Sequence, residues 1–207
     1  TSRDFDRNQL AFSKIEVLGE NILKCTLKYK DVIINKGDIF QTRNIIRDQV
    51  GSMFQRCKNL RFENLRVRFM HGLGMVSQFC ENITFINCDF TPKKGRTIAS
   101  TADFFQFSGC KGKILIENCK AYGAQDDYIN VHGTHLRIIE ADSNNNTLLV
   151  RFMHHESWGF QAFEQDDILE FIRWDTLSPY NRTKVISFNK INPTDILLKV
   201  TYVPDDI

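Results

Sequence analysis

Two short segments of this 207-residue chain carry acidic residues in an arrangement suited to acid–base chemistry. Ser100–Asp103 ends in one aspartate, and Gln125–Gly133 contains the adjacent pair Asp126 and Asp127. Asp103 and Asp126 are 23 residues apart, and stacked units of about 20–25 residues would place them on adjacent coils. Carboxylates on adjacent coils can flank a bond, which is the arrangement that glycoside hydrolysis requires.

The pairing of Asp126 with Asp127 predicts where the local backbone leaves regular strand geometry. Neighbouring side chains of a strand point to opposite faces, so a regular strand would bury one of the two carboxylates. An unpaired buried carboxylate is strongly unfavourable. We therefore expect both residues at a bulge or corner, facing one cleft.

The chain contains a second copy of the same tripeptide, Gln165–Asp167, which has no partner carboxylate one coil away. It immediately precedes an apolar strand pattern, and we interpret it as a surface turn. The tripeptide alone therefore does not define a site.

Polar and aromatic side chains around these segments are candidates for sugar binding. Amide and imidazole groups can hydrogen-bond hydroxyls, and an indole can stack on a sugar ring. The alternative to sugar binding is that the polar side chains lie on solvated edges or loops, and that the tryptophan is a core residue. The candidates are Gln78, Arg96, Gln106, Asn130, His132 and Trp158. No metal site is predicted, because His71 and His132 lie far in sequence from other ligand types.

Three segments of the chain share one pattern: a cysteine, a polar turn, a short alternating strand and an asparagine. They are Cys57–Val67, Cys80–Phe90 and Cys110–Lys120, and their cysteines are offset by 23 and 30 residues. A repeat of this length predicts coils of a right-handed parallel β-helix, the longer offset being a loop at one corner. The fold class expected is therefore all-β.

The alternation within each strand predicts which side chains enter the core and which align between coils. The inward positions are Leu60, Phe62 and Leu65, then Ile83, Phe85 and Cys88, then Ile114, Ile116 and Cys119. At the turns, Asn64, Asn87 and Asn118 are expected to form a side-chain ladder. A second strand follows each turn, and the coils are expected from about residue 31 to 140, preceded by a strand pair within residues 1–30.

After residue 140 the pattern changes to short strands separated by Asn-, Asp- and Pro-containing turns. This pattern is typical of a small antiparallel barrel. We therefore predict two domains: residues 1–140 form the β-helix coils with the active site, and residues 141–207 form a β-barrel-like domain at the C-terminal end.

Composition excludes some partners and leaves others open. A net charge of +2 gives no basic field for nucleic acid, and no apolar run is long enough to insert into a membrane. The six cysteines include no Cys-x-x-Cys pair, so we predict buried free thiols, with one disulfide between coils as the alternative. The abrupt ends at Thr1 and Ile207 are expected for a piece of a longer protein.

Three ordered motifs, Met70–Gln78, Gly95–Asp103 and Gly123–Thr134, resemble glycoside hydrolase family 110. The resemblance covers roughly residues 35–175, and it includes Trp158–Phe163 in a barrel-like insert. Members of that family are exo-acting α-1,3-galactosidases, mostly from bacteria.

The resemblance implies hydrolysis with inversion of anomeric configuration, without metal or cofactor. Asp126 would be the general acid, while Asp103 and Asp127 would hold and deprotonate the attacking water. It also implies a galactose-terminated oligosaccharide or glycan as substrate, and a secreted, periplasmic or cell-surface location. A homodimeric assembly is left open.

Two other functions compete with this interpretation. The first is a polygalacturonase-like inverting hydrolase, which shares the β-helix and three aspartates but usually has a Gly-His-Gly motif that this chain lacks. The second is a non-catalytic carbohydrate-binding β-helix. Release of galactose, release of galacturonate, or binding without turnover distinguishes the three.

Overall fold

The computed structural model describes residues 12–28, 35–38, 49–133 and 135–207. Within these ranges the regular structure is β-strand, apart from one 3-10 turn at His155–Ser157, so the expected all-β class is confirmed. None of the described residues forms a helix that is long and apolar enough to cross a membrane. The chain divides into two compact units, Thr1–Asn44 and Ile45–Ile207.

The described part of the first unit is a hairpin. Strands β1 (Phe12–Gly19) and β2 (Ile22–Leu27) pair antiparallel, with Ile15 opposite Cys25. The strand pair predicted in this region is therefore confirmed.

Ten short strands of the second unit, β3 to β12, form three parallel ladders. The first ladder contains β3 (Ser52–Gln55), β6 (Met75–Gln78), β9 (Phe105–Ser108) and β12 (Ile129–His132). The second contains β4 (Lys58–Glu63), β7 (Glu81–Ile86) and β10 (Lys111–Glu117). The third contains β5 (Arg66–Val67), β8 (Asp89–Phe90) and β11 (Lys120–Ala121). The coils expected from residue 31 onward are partly outside the described residues, and the parallel strands begin at Ser52.

The register of the second ladder matches the alignment predicted from the repeat. Ile83 pairs with Leu60 on one side and with Ile114 on the other. Phe85 likewise lies beside Phe62, and their rings stack with centroids 4.7 Å apart. Apolar side chains at equivalent positions of successive strands therefore form one continuous core, in which Phe85 is 1% exposed.

The asparagines at the turns serve the backbone more than a side-chain ladder. Asn64, Asn87 and Asn118 all have positive φ angles between 51° and 57°, a conformation that asparagine tolerates better than most residues. The predicted side-chain ladder at these positions is wrong, because the hydrogen-bonded asparagines lie five residues earlier in the repeat. There, Asn82 Nδ2 donates to Asn59 Oδ1 at 3.1 Å, and Asn82 Oδ1 accepts from the Lys113 N–H at 3.0 Å.

All six cysteines are free thiols, as preferred from their spacing. Cys80 and Cys88 are buried within the core, whereas Cys25 is exposed, so the expected burial is wrong for that residue. Burial raises the pKa of the Cys80, Cys88 and Cys110 thiols. These three groups therefore behave as small core side chains.

The remaining strands form one five-stranded antiparallel sheet that curls into half a barrel. In spatial order they are β13 (Leu136–Asp142), β14 (Thr147–Phe152), β17 (Asp195–Val200), β16 (Pro179–Lys190) and β15 (Ile168–Ile172). Buried apolar residues such as Leu148, Val185 and Leu198 form the core of this sheet. Because β13 spans residue 140, the first strand of this sheet starts before the boundary predicted there, and the domain limits remain a prediction.

A paired carboxylate fastens β14 to β17. Arg151 donates from Nε to Asp195 Oδ1 at 2.6 Å and from Nη2 to Oδ2 at 2.9 Å. Asn192 Nδ2 adds a donor to Oδ2 at 2.9 Å. The Arg151 guanidinium, followed by the Asn192 amide, holds the pKa of Asp195 well below its usual range.

We predict that Phe85→Ala destabilises the protein by about 3–5 kcal/mol, because truncation leaves a cavity beneath the rings of Phe62 and Phe105. Urea unfolding measures the loss. Phe69→Ala is the matched control, because Phe69 is 58% exposed and its truncation should change stability by less than about 0.5 kcal/mol. Equal losses for both variants would contradict the assigned core.

We also predict that the stabilisation by Asp195 depends on pH. A carboxylate with a depressed folded-state pKa stabilises the fold above its unfolded-state pKa of about 4, and this stabilisation is lost as the pH falls. Asp195→Asn should therefore lower the unfolding midpoint clearly at pH 7, and the difference from wild type should shrink towards pH 2. Glu63→Gln, which breaks an exposed pair with Arg61, should have little effect at either pH.

Candidate active site

The first ladder brings the predicted aspartates to the beginnings of two neighbouring strands. Asp103 lies two residues before β9, and Asp127 lies two residues before β12. The pairs Ser100–Ala124 and Phe105–Ile129 are both offset by 24 residues. Since the same offset holds on both sides, Asp103 aligns with Asp127, and Asp126 aligns with Ala102. The 23-residue spacing used in the sequence argument is therefore one residue short.

The aspartate pair precedes the strand, as its sequence predicted. Asp126 and Asp127 lie in the bend before β12, and both are exposed. The backbone carbonyl of Asp127 accepts from the Phe104 N–H at 3.1 Å, which ties the bend to the segment before β9. Asp103, in contrast, is 3% exposed. The candidate site therefore combines a buried carboxylate before β9 with two exposed ones before the neighbouring strand β12.

Three groups hold the segment that carries Asp103. Asn130 Nδ2 donates to Asp103 Oδ2 at 3.3 Å, and Ser100 Oγ donates to the Asp103 carbonyl at 2.5 Å. Phe104 is fully buried, and its ring stacks on that of Tyr128 with centroids 5.6 Å apart. The bulky side chain after Asp103 is therefore a core residue that anchors the loop.

Sequence reasoning missed the role of Ser100 and of Gly74. A serine three residues before an aspartate can close a local turn through its hydroxyl, and that signal was present in Ser100–Asp103. Gly74 has a φ of 68°, and a Cβ there would lie 2.2 Å from the Asp103 carbonyl oxygen. Only glycine leaves room for the neighbouring segment that carries Asp103.

The predicted sugar-binding side chains of the first ladder fall in two rows. Gln106 aligns with Asn130, as expected, and its Nε2 lies 3.5 Å from His132 Nε2. Gln78 lies two positions along, beside Ser108, and accepts a 3.4 Å hydrogen bond from Gln55. The outward side of this ladder thus presents a strip of amide and imidazole groups beside the aspartates.

Arg96 and Trp158 lie on connections outside the ladders. Arg96 is exposed, in a turn closed by its N–H and the Lys93 carbonyl at 2.8 Å. Trp158 is 52% exposed after the 3-10 turn, which removes the core role left open for it. The structure therefore leaves both available as surface groups.

The segment that follows Trp158 docks at the end of β6. The rings of Phe160 and Phe79 lie 5.5 Å apart, and Arg56 forms an ion pair with Glu164 while donating to the Gln161 carbonyl at 3.3 Å. Arg56 and Phe79 occupy equivalent positions after the neighbouring strands β3 and β6, one residue beyond the paired Gln55 and Gln78. The contact therefore fixes this segment of the antiparallel part beside the polar strip.

The duplicate tripeptide is a turn, as expected. Asp166 has a φ of 72° and pairs with Lys184 at 2.7 Å, and Asp167 accepts from the Glu164 N–H at 2.7 Å. These side chains are used in local turn hydrogen bonds and a surface ion pair. The two copies thus differ in what surrounds them.

Comparisons with known proteins show what this chain is similar to. Residues 147–207 match the family model described as GLAA-B beta-barrel domain II. Alpha-1,3-galactosidase A of Akkermansia muciniphila is 38% identical over 93% of this chain and 34% of its own length. Alpha-1,3-galactosidase A of Bacteroides fragilis is 43% identical over 82% of this chain and 28% of its own length. Alpha-1,3-galactosidase B of the same species is 34% identical over 83% of the chain and 29% of its own length.

The resemblance drawn from the motifs is thereby confirmed: this chain is a relative of alpha-1,3-galactosidases over the part of those proteins that it matches. It spans about a third of the length of the curated relatives.

We predict that Gly74→Ala lowers any activity of the site by about 10²-fold, because displacing a reacting group by about 1 Å has an effect of this size. Gly37→Ala is the matched control: Gly37 also has positive φ, but nothing lies within 4 Å of its added Cβ. Both variants carry backbone strain, and only the first pushes against Asp103. Steady-state kinetics with the two variants side by side measure the difference, and equal activities would contradict the assigned role of Gly74.

Proposed function

We propose that this chain carries the catalytic site of a glycoside hydrolase that removes terminal α-1,3-linked galactose with inversion of configuration. The observation that carries the proposal is the alignment of Asp103 with Asp127 on adjacent parallel strands, one residue from Asp126. The relationship to proteins named alpha-1,3-galactosidase supports the choice of sugar and linkage. In this proposal the three parallel ladders are coils of a right-handed β-helix.

The roles proposed for the three carboxyls are those that the family resemblance implies, and the alignment of Asp103 with Asp127 is compatible with them. Two carboxylates that share a register on neighbouring coils can contact the same small molecule, so Asp103 and Asp127 hold the attacking water and take up its proton. Asp126 is displaced by one position and protonates the departing glycosidic oxygen. An inverting enzyme separates its acid and base carboxyls by about 6.5–9.5 Å, which leaves space for that water.

The polar strip supplies the recognition. Gln78, Gln106 and His132 offer donors and acceptors for galactose hydroxyls, and exposed Trp158 offers a face for a sugar ring. Arg96, exposed on the lengthened connection, is a further group proposed to contact the glycan. A galactose-terminated glycan substrate also favours a secreted, periplasmic or cell-surface enzyme.

The arginines that a polygalacturonase-like function would need are already paired with glutamates, which makes that alternative less well supported. That chemistry needs a cation for the uronate carboxylate, often from an Arg-x-Lys triplet, and the chain has such triplets at Arg56–Lys58 and Arg182–Lys184. Arg56 is paired with Glu164, and Arg182 is paired with Glu170. Both guanidinium groups are therefore engaged within the fold.

We predict that the full-length protein that contains this chain releases galactose from an α-1,3-linked digalactoside, with the β-anomer appearing first in a time-resolved NMR spectrum. Asp126→Asn should reduce kcat by about 10²–10⁴-fold, because it removes the general acid, while sugar binding measured by calorimetry is retained. Asp166→Asn, the same substitution in the duplicate tripeptide, should leave hydrolysis unchanged.

Other results would select the alternatives. Release of galacturonate from an oligogalacturonide would support the polygalacturonase-like function. Binding of the digalactoside by the wild type without cleavage would support a carbohydrate-binding module. An α-anomer as first product would rule out inversion while leaving the galactosidase activity in place.

A further inference from the structure

Asn130 contacts a catalytic carboxylate of the proposed reaction directly. Its Nδ2 lies 3.3 Å from Asp103 Oδ2, although the sequence predicted a contact with the sugar. We propose that Asn130 is a positioning residue, which orients Asp103 towards the attacking water and keeps it ionised. The inference rests on the proposed function and assigns Asn130 a role that the function alone does not require.

The backbone already aligns the two segments that this hydrogen bond joins. The N–H groups of Phe104 and Phe105 donate to the carbonyls of Asp127 and Tyr128 at 3.1 and 3.3 Å. Asn130 follows on the same strand, and its side chain reaches back to Asp103. The hydrogen bond therefore holds the Asp103 carboxylate in place against β12, the strand that follows the aspartate pair. The position of Asp103 relative to Asp127 is thereby fixed.

Burial makes the orientation of Asp103 chemically important. At 3% exposure, its carboxylate has little water to solvate it, and a donated N–H stabilises the ionised form. An ionised carboxylate only accepts hydrogen bonds, so the amide must present Nδ2 to it. The donor therefore favours the state that can accept a proton from water, and it restricts rotation of the carboxylate about its terminal torsion.

Gln106, the polar residue paired with Asn130, makes a different contact. Gln106 aligns with Asn130, yet its Nε2 lies beside His132 Nε2 at 3.5 Å. The strip therefore divides into two parts. Asn130 serves the carboxylate, and Gln106 and His132 remain for hydroxyls of the sugar.

The test compares Asn130→Ala and Asn130→Asp with wild type in the full-length protein, using the α-1,3-linked digalactoside. Both variants should lose about tenfold to a hundredfold in kcat, with KM changed by less than about twofold. The acidic limb of the kcat–pH profile should move to higher pH in Asn130→Asp, because a second carboxylate beside Asp103 raises the pKa of one of them.

A second asparagine provides the matched control. Asn145 Nδ2 donates to Asp142 Oδ2 at 2.8 Å in the exposed turn between β13 and β14, so Asn145→Asp makes the same chemical change outside the site. Its kcat, KM and pH profile should equal those of wild type.

The outcomes separate the inference from the function beneath it. A higher KM with unchanged kcat and an unmoved acidic limb would overturn the inference and make Asn130 a sugar contact. Because Asn130→Asp conserves side-chain volume, its pH limb decides the question even if Asn130→Ala folds poorly. A wild type that binds but never cleaves would instead remove the proposed function.

Discussion

The parallel register between successive strands is the constraint on which the rest of the structure depends. Backbone hydrogen bonds fix which residue of one strand faces which residue of the next, and a slip of one residue would exchange the faces of every side chain. At the candidate site, the same slip would replace Asp127 by Asp126 opposite Asp103. The relative placement of the three aspartates is therefore set by backbone pairing.

The aromatic core makes that register rigid where it is needed. Phe104 and Phe105 directly follow Asp103 and are almost fully buried, and they contact Phe90 with ring centroids 6.0 and 4.8 Å away. Close-packed interiors transmit displacement instead of absorbing it. Asp103 is thus carried by a loop in which the two following residues, Phe104 and Phe105, cannot move independently of the core, so the position of its carboxyl group is closely fixed.

Much of the ladder architecture could be predicted from the sequence, because apolar alternation records it directly. The rows through Ile83 and Phe85 came from the period-two pattern together with the repeat of cysteine and asparagine, which aligns one strand with the next. The partner of Asp103 could not be found in the same way. Periodicity locates strands but not the length of each connection, and β10 contains one irregular step between Lys111 and Ile114 that shifts its own register.

Long-range side-chain contacts were out of reach for a different reason. Arg56 and Glu164 are separated by 108 residues, and nothing in their local sequences marks them as partners. The bond from Asn130 to Asp103 depends on the offset between neighbouring strands, so it too appears only when the fold is known. The candidate residues could thus be identified from the sequence by type, whereas the contacts between them required the structure.

The uneven lengths of the corner connections have a consequence for how such a scaffold can diversify. Seven residues separate β5 from β6 and β11 from β12, whereas fourteen separate β8 from β9. Ser100 nevertheless pairs with both Met70 and Ala124, so the additional residues, with Arg96 among them, leave the ladder and return before Asp103. A segment of this kind can lengthen, shorten or be exchanged without altering the spacing between Asp103 and Asp127, so the surface beside the aspartates can vary while their alignment is kept.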